Sequence, residues 1–401
     1  MRGIAVIGAG TMGTGIAQLA ARHGTVVHLI DVDAGVVARS VANIERRFER
    51  MVKKGRLTDA QCADAMGRLR PADAIADLTD VDLAVEAVIE NLDVKQDIFR
   101  ALERAVPPGA TLATNTSSLS ISRIAEGVST PQRVVGMHFF NPAPVMPLVE
   151  VIAGRRSGPD HVAAAVAAAT TWGKVPVRAK DTPGFIVNRV ARGFYLEALR
   201  LLGEGVAGVD EIDAVMRTHG RFRMGPFELM DLVGLDVNYA VSRSVWEQMN
   251  RAARFEPHDI QRRLVEAGDW GRKARRGFYA YDGDARTPAF AIDRRSFELP
   301  PALADALFAF AARSGAVHAS TAEQLVFGRI VAAVINEAGH AYDDDVATAG
   351  DIDTAMEQGT NYPRGPLAWA DDIGHSTVAA LLNALNDTIG DGRYAPAALF
   401  A

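Results

Sequence analysis

The opening of the chain contains the feature that most constrains its fold. An apolar run over residues 4–7 is followed by Gly8, Gly10 and Gly13 in the pattern G-x-G-x-x-G. A short apolar run beside glycine predicts a parallel strand buried on both faces. The first glycine permits a tight turn, the second lets the backbone approach a pyrophosphate, and the third lets a helix over residues 14–22 pack close to the strand. This stretch predicts a dinucleotide-binding turn.

The residues that follow indicate which dinucleotide is bound. A second strand is predicted over residues 26–30 and ends at Asp31, whose carboxylate can accept hydrogen bonds from both ribose hydroxyls of an adenosine. No arginine follows immediately to hold a 2′-phosphate. A glycine turn alone can serve packing only, but strand, turn, helix, strand and acid occur here in order. The sequence therefore predicts NAD as the cofactor, with its phosphates at the N-terminus of the first helix.

Bulk properties exclude several other classes of protein. With 401 residues the chain is too long for one core, so we expect two or three domains. The net charge of −6 argues against a nucleic-acid partner. The single cysteine, Cys62, excludes an internal disulfide and a cysteine-based zinc site, which suits a reducing cytoplasm. No signal peptide or bilayer-spanning run is found, so we predict a cytoplasmic protein with no membrane partner and no metal site.

The first 180 residues are predicted to form an α/β domain of the Rossmann type. The further predicted strands cover residues 81–88, 111–114, 134–140, 148–152 and 174–177. The predicted helices after the first cover residues 34–54, 59–69, 92–105 and 162–172. Polar residues after the strands 81–88 and 111–114 should meet at the carboxyl edge of the sheet, where open α/β sheets bind ligands.

The segment 181–184 marks a junction, because Pro183 and Gly184 end one element. A helical pattern begins after it, and strands all but disappear. The helical part contains an internal repeat, because residues 196–234 match residues 336–374 at a constant offset of 140. We predict two tandem all-α domains, over 181–284 and 321–401. A connector over 285–320, with a helix near 302–312, would join them.

One histidine and one glutamate are candidates for chemistry. His138 and Glu150 lie in two apolar runs that a turn could place side by side. A carboxylate inside an apolar strand is costly to leave without a partner. Paired with it, the imidazole would be held in one tautomer and could act as a general base. The alternative is a buried pair with a purely structural role.

Other polar residues allow two interpretations each. The end of helix 34–54 carries five basic residues, either a solvated helix face or a landing site for the phosphates of coenzyme A. These are Arg46, Arg47, Arg50, Lys53 and Lys54. Ser117 or Ser118 could cap a helix near residue 121 or bind a substrate. Asn188, on the first helix after the junction, could be a structural polar residue or a functional one.

Taken together, these segments closely resemble the 3-hydroxyacyl-CoA dehydrogenase family. The resemblance is strong over residues 1 to about 281, and the repeat extends it to the C-terminus. The segments that carry it are GAGTMG at 8–13, EAVIEN at 86–91, NTSSL at 115–119, HFFNP at 138–142, DTPGFIVNR at 181–189 and GPFEL at 225–229.

The resemblance implies NAD-dependent oxidation of an L-3-hydroxyacyl-CoA to the 3-oxoacyl-CoA, a reaction of fatty acid β-oxidation. In the family's pattern His138 takes the hydroxyl proton, Glu150 orients it, and Ser117 and Asn188 bind the substrate oxygen. Lys54 falls on a coenzyme A position. Arg47 stands where the family usually has serine, which leaves the local contacts to coenzyme A open. The positions that fall on the family's NAD site are Gly8, Gly10, Thr11, Met12, Gly13, Asp31, Glu90, Lys95, Ser117, Asn141 and Lys273.

The second helical copy has Gly328 in place of Asn188 and no preceding Asp-Thr-Pro-Gly, so it should supply no catalytic group. Relatives with one helical domain form dimers through it. We therefore expect the two copies to pack as an intramolecular pseudo-dimer, with further oligomerisation left open. The substrate is expected to be short, with 3-hydroxybutyryl-CoA as the default and 3-hydroxyadipyl-CoA as the other candidate. Two alternatives remain: a dehydrogenase of a free hydroxy acid or sugar acid, like L-gulonate dehydrogenase, or a catalytically silent NAD-binding protein.

Overall fold

A boundary between Phe185 and Ile186 divides the chain into two compact units, Met1–Phe185 and Ile186–Ala401. The structure is a computed structural model that describes residues 3–295 and 298–401. Within those residues no helix is both long and apolar enough to cross a membrane.

The first unit is built on one eight-stranded sheet. Its strands are β1 (Gly3–Ile7), β2 (Val26–Ile30), β3 (Leu69–Pro71), β4 (Leu83–Glu86), β5 (Thr111–Thr114), β6 (Val134–Phe139), β7 (Leu148–Ala153) and β8 (Val175–Lys180). They lie in the order β3-β2-β1-β4-β5-β6-β7-β8, and every neighbouring pair is parallel except β6 and β7. The chain builds outward from β1 on one side and then crosses to β4 on the other. This reversal beside β1 creates the crevice where such sheets bind ligands.

Six helices connect these strands. They are α1 (Thr11–Arg22), α2 (Ala34–Lys53), α3 (Asp59–Gly67), α4 (Leu92–Ala105), α5 (Ile121–Ala125) and α6 (Pro159–Thr171). The central strands β1, β4, β5, β6 and β7 are almost fully buried, as expected for a sheet covered by helices on both sides, whereas the edge strands β3 and β8 are partly exposed. The predicted Rossmann-type fold is confirmed.

Several predicted element bounds differ from the structure for identifiable reasons. The first helix begins at Thr11 instead of residue 14, because Gly10 already serves as its N-cap. The strand predicted over 81–88 ends at Glu86, whose side chain accepts a hydrogen bond from the Val88 N–H and turns the chain. The helix predicted over 59–69 ends at Gly67, because Leu69 pairs with Val27 in the edge strand β3. Sequence reasoning missed β3, which is three residues long and ends in proline.

Over its described residues, the second unit is helical apart from one hairpin. Its elements are α7 (Val187–Gly203), α8 (Val209–Thr218), α9 (Pro226–Val233), α10 (Leu235–Gln248), α11 (Asp259–Glu266), β9 (Tyr279–Asp282), β10 (Ala285–Pro288), α12 (Pro301–Ser314), α13 (Thr321–Asp343), α14 (Ala349–Thr360), α15 (Pro366–Ile373) and α16 (His375–Ile389). The hairpin β9-β10 spans residue 284, where we predicted the end of the first helical domain. Helix α12, in the predicted connector, packs against α13, α15 and α16 of the second copy.

The repeat is visible as one capping device used twice. Asp213 accepts hydrogen bonds from the N–H groups of Phe227 and Glu228 at 2.9 and 3.0 Å, at the start of α9. Asp353 does the same for two N–H groups at the start of α15, at 2.8 and 2.9 Å. In both copies a Cβ on the glycine before the helix, Gly225 or Gly365, would lie 2.3 Å from the aspartate side chain. Glycine is therefore required at that position in each copy.

The two copies contact each other through α7 and α13. A Cβ on Gly193 of α7 would lie 2.9 Å from the backbone of Ala333 in α13, so the helices touch there backbone to backbone. These two residues are themselves 140 positions apart.

Ion pairs on either side of this crossing are reciprocal. Arg189 donates to Glu337 at 2.6 Å and to Asp344 at 2.7 Å. The residues 140 positions away repeat the pattern, since Arg329 donates to Glu197 at 3.2 Å and to Glu204 at 3.1 Å. Each arginine thus pairs with the acids of the opposite copy.

Candidate active site

The glycine turn after β1 is tight at both ends and open in the middle. Gly8 has φ +103°, and a Cβ there would lie 2.6 Å from the Ala87 carbonyl oxygen. A Cβ on Gly13 would lie 1.7 Å from the Gly8 carbonyl oxygen, so only glycine allows α1 to start this close. A Cβ on Gly10 would meet nothing within 4 Å. The fold therefore needs glycine at Gly8 and Gly13, whereas Gly10 leaves free space for a ligand.

Helix α1 begins without a side-chain cap and without an acidic residue in its first turn. The N–H groups at such a helix start are a natural site for an anion. Asp31, at the end of β2, stands beside the turn: its Oδ2 accepts a hydrogen bond from the Ala9 N–H at 2.7 Å. The carboxylate thus fixes the turn, and its position is the one expected for a ribose contact.

A second cluster surrounds Glu90, beyond β4. Its Oε1 accepts hydrogen bonds from the Ser117 N–H at 3.1 Å, the Ser118 N–H at 3.2 Å and the Ser118 hydroxyl at 2.9 Å, and also from the Thr116 hydroxyl. The Lys95 ammonium lies 3.3 Å from Oε2. Burial alone would raise the pKa of Glu90, but Lys95 and these hydrogen bonds outweigh burial and hold the pKa below its usual range. Glu90 therefore anchors the loop that carries Ser117.

Lys95 is almost fully buried, with 1% of its surface exposed, and its ammonium donates to Glu86 at 2.6 Å. Glu86 is completely buried, and it also accepts from the Thr114 hydroxyl at 2.7 Å. The ammonium of Lys95 therefore forms ion pairs with Glu86 and Glu90. A direct contact between Lys95 and the coenzyme stays a prediction.

His138 and Glu150 face each other across β6 and β7. They are a register pair of the antiparallel ladder, and His138 Nδ1 lies 2.7 Å from Glu150 Oε2. Glu150 is completely buried and His138 is 7% exposed. The rings of Phe140 and Phe185 lie 4.5 and 5.9 Å from the imidazole. With Nδ1–H donated to the carboxylate, Nε2 has the free lone pair of a general base.

The structure also identifies a residue that sequence reasoning had placed only at the domain junction. The carboxylate of Asp181 accepts hydrogen bonds from the Ser120 hydroxyl at 2.7 Å and from the Ile121 and Ser122 N–H groups at 2.9 and 2.7 Å. Ser120 is the N-cap of α5, so neither Ser117 nor Ser118 has the capping role considered above. Only the tertiary pairing of β8 with β7 brings Asp181 to this loop, which local patterns do not reveal.

The remaining predicted site residues lie outside the clusters around Glu90 and His138. Asn141 lies two residues after the end of β6 and is exposed. Lys54 is the exposed C-cap of α2, and Arg47 on the same helix donates to the Gln18 side chain at 3.0 Å. Asn188 and Lys273 belong to the second unit, where Lys273 forms an ion pair with Asp236 at 2.6 Å. Contacts of these residues with substrate or coenzyme stay predictions.

The residues at the switch point fit a dinucleotide. The gap above Gly10, the uncapped start of α1 and the carboxylate of Asp31 offer room, N–H donors and a ribose acceptor in the order that NAD requires.

Comparison with known proteins decides the family. Residues 3–182 match the family described as "3-hydroxyacyl-CoA dehydrogenase, NAD binding domain". Residues 184–281 and 326–401 each match "3-hydroxyacyl-CoA dehydrogenase, C-terminal domain". The chain belongs to the 3-hydroxyacyl-CoA dehydrogenase family. This dehydrogenase is an oxidoreductase that uses NAD, as the sequence predicted.

Relatives of this dehydrogenase match with one or both helical copies. A 3-hydroxyadipyl-CoA dehydrogenase of Escherichia coli (strain K12) is 38% identical over 455 aligned residues, which cover 99% of this chain and 96% of the relative. A 3-hydroxybutyryl-CoA dehydrogenase of Clostridioides difficile is 37% identical over 279 residues, 70% of this chain and 99% of the relative. The crystal structure of 3-hydroxybutyryl-CoA dehydrogenase from Escherichia coli K12 substr. MG1655 has a TM-score of 0.89 at 37% identity and covers 100% of this chain and 97% of that one.

Proposed function

We propose that this dehydrogenase oxidises the 3-hydroxyl group of short L-3-hydroxyacyl-CoA esters, with 3-hydroxybutyryl-CoA as the preferred substrate and the 3-oxoacyl-CoA as product. The observation that carries the proposal is the 2.7 Å contact between His138 Nδ1 and Glu150 Oε2, at a buried position next to the dinucleotide-binding edge. Alcohol oxidation needs a group that removes the hydroxyl proton. An imidazole whose Nδ1–H is donated to a carboxylate can accept that proton at Nε2.

In the proposed mechanism His138 is the general base and Glu150 orients it. Nε2 of His138 takes the hydroxyl proton of the substrate, while Nδ1–H stays bonded to Glu150. The carboxylate stabilises the imidazolium that forms and prevents the ring from turning away. When bound, NAD supplies the acceptor for the hydride that leaves C3 of the substrate. Ser117 and Asn188 are proposed to bind the substrate oxygen and keep the hydroxyl directed at the imidazole.

The charge of coenzyme A suits the basic end of α2. We propose that Lys54 and its exposed basic neighbours bind the phosphates of the substrate. The guanidinium of Arg47 donates a hydrogen bond to the side chain of Gln18 in α1. This bond links α2 to the helix that follows the glycine turn.

The three relatives described above favour neither alternative function. All three that are described above are named for CoA esters, and their matches cover at least 70% of this chain. A free hydroxy acid would leave the basic end of α2 without a role. The buried pairing of His138 with Glu150 favours an active enzyme over a silent NAD-binding protein.

The proposal is tested by NADH formation from 3-hydroxybutyryl-CoA, 3-hydroxyadipyl-CoA, a long-chain 3-hydroxyacyl-CoA and free 3-hydroxybutyrate. We expect the highest kcat/KM with 3-hydroxybutyryl-CoA and no turnover of the free acid. His138→Gln keeps a donor for Glu150 but cannot take a proton, so turnover should fall about 10²–10⁴-fold with NADH affinity unchanged. His28→Gln, on β2, is the matched control. Turnover of His138→Gln close to that of the control would remove His138 from the mechanism.

We also propose that the two helical copies form an intramolecular pseudo-dimer, with one active site per chain. The reciprocal ion pairs of Arg189 and Arg329 support this, because a two-fold contact is one in which residue i meets j and j meets i. In relatives with a single copy the equivalent face would be open to a second subunit.

A further inference from the structure

A buried lysine outside the catalytic pair lies under the loop that joins β6 to β7. Lys174, just before β8, is 7% exposed, and its ammonium donates to the carbonyl oxygens of Ala143 and Met146, both at 2.6 Å. Within the described residues it has no carboxylate partner at ion-pair distance. Burying an ammonium without a counter-ion is costly, so an apolar side chain would be the expected occupant if packing alone mattered.

The two acceptors of Lys174 belong to one compact loop, residues 141–147. Pro142 O accepts hydrogen bonds from the Val145 and Met146 N–H groups at 2.9 and 3.0 Å, which closes the loop on itself. At the far end of the loop, the Val175 N–H donates to Pro147 O at 2.9 Å. Lys174 therefore binds the middle of the loop, and the start of β8 binds its end.

This loop lies between the glycine turn and the catalytic pair. A Cβ on Gly15 of α1 would lie 3.1 Å from both Ala143 and Pro144, so the loop packs directly on the helix that faces the coenzyme phosphates. Its first residue, Asn141, comes three positions after His138 and is exposed at the carboxyl end of β6. The loop thus forms part of the edge at which a dinucleotide would bind.

We propose that Lys174 is a positioning residue for the coenzyme: its ammonium fixes the loop 141–147 against α1 and so holds Asn141 in place to contact NAD. The Asn141 contact rests on the proposed function, whereas the attachment of the loop rests on the hydrogen bonds described here.

The state of charge at neutral pH agrees with this role. Burial, aided by the Arg22 guanidinium at the end of α1, lowers the pKa of Lys174 to about 8. Lys174 is therefore still mainly an ammonium at pH 7, and its two hydrogen bonds to the loop are charge-assisted. Ala143 is buried against α1, but Val145, at the tip of the loop, is 72% exposed, so apolar packing does not hold that end of the loop.

The test replaces Lys174 with methionine, which keeps the apolar stem and removes the donors. NADH affinity is measured by fluorescence titration in the absence of acyl-CoA. We expect Lys174→Met to weaken NADH binding about tenfold, because the loop loses both charge-assisted hydrogen bonds and must then be ordered when the coenzyme binds. The turnover number and the KM for acyl-CoA should change less than about twofold, because the β6-β7 ladder holds His138 and Glu150 independently. Arg178→Met, an exposed cation on β8, is the matched control and should leave NADH affinity unchanged.

A purely structural lysine would lower the melting temperature without selectively changing NADH affinity. Folded Lys174→Met that binds NADH like the Arg178→Met control would therefore overturn the proposal. The unmodified protein gives a second test, since NADH binding should slow amide hydrogen exchange at Val145 and Met146. Unchanged exchange at both amides would equally overturn it. The failure of the proposed function is seen separately, as absent NADH formation from 3-hydroxybutyryl-CoA by a wild-type protein that binds NADH.

Discussion

One oxygen of Glu90 receives the donors of three consecutive residues, from Thr116 to Ser118. The resemblance to the family places Glu90, Lys95 and Ser117 in the coenzyme site, and the structure adds how they depend on one another. Lys95 stabilises the charge of Glu90 from the buried side, and Glu90 fixes the backbone on which Ser117 is presented. A mutation at Glu90 should therefore act through Ser117 as well as through any direct contact.

Glu90→Gln tests this dependence through pH. The pKa of Glu90 is lowered in the folded state, so its carboxylate contributes stability above the unfolded pKa of about 4.3 and loses it as pH falls through the lower folded value. We expect the wild type to exceed Glu90→Gln in unfolding free energy at pH 6, and the difference to shrink below pH 4.3 or so. Urea unfolding across this range measures it, with the exposed Glu126→Gln as control. A difference that is independent of pH would show that the charge of Glu90 is not what holds the loop.

At the scale of elements, sequence patterns predicted those parts whose determinants are local. The strands β2 and β5 and the helix α4 begin and end at the residues predicted from the sequence pattern. The pairing of His138 with Glu150 followed from two apolar runs joined by a turn. The edge strand β3 was missed, because its three residues become a strand only by pairing with β2.

The parts of the site that sequence could not predict depend on distant neighbours. Asp181 caps α5 from 60 residues away, and the ammonium of Lys174 reaches carbonyls about 30 residues earlier in the chain. No local pattern specifies such contacts. The family resemblance indicated that Glu90 and Lys95 belong to the coenzyme site. It did not indicate that Lys95 is buried and forms an ion pair with the more exposed Glu90.

The capping aspartates of the two copies offer a prediction at the same scale. Asp213 and Asp353 each bind two N–H groups of a helix start, but Asp213 also accepts the Tyr279 hydroxyl at 2.7 Å. Asp353→Ala should therefore cost about 1–2 kcal/mol of unfolding free energy, and Asp213→Ala about 2–4 kcal/mol, since it also leaves a buried hydroxyl unpaired. Urea unfolding followed by circular dichroism compares them, with Asp284→Ala in the exposed β9-β10 turn as control. Equal costs for the two variants would contradict the added role of Asp213.

At the scale of the whole molecule, duplication has preserved the packing of the helical fold and altered its surface. Asp231 in the first copy accepts the Phe278 and Tyr279 N–H groups and so holds the hairpin after Lys273. Its counterpart Asp371 is exposed and binds His375 instead. The second copy thus keeps the helix cap of the first, whereas its Asp371 makes a different contact from that of Asp231.

The reciprocal network across α7 and α13 gives the last prediction. Arg189, Glu197, Arg329 and Glu337 are all at most 4% exposed within a single chain, so none of them is available to a second chain. We expect sedimentation equilibrium to give the mass of one chain, 42.8 kDa. Glu337→Gln and Glu197→Gln each remove one of the two carboxylates that a buried arginine binds, while Asp344 or Glu204 remains, so each should cost roughly 2 kcal/mol without changing that mass. If the wild type sediments as two chains and Glu337→Gln as one, the pairs form between chains and the intramolecular pseudo-dimer is wrong.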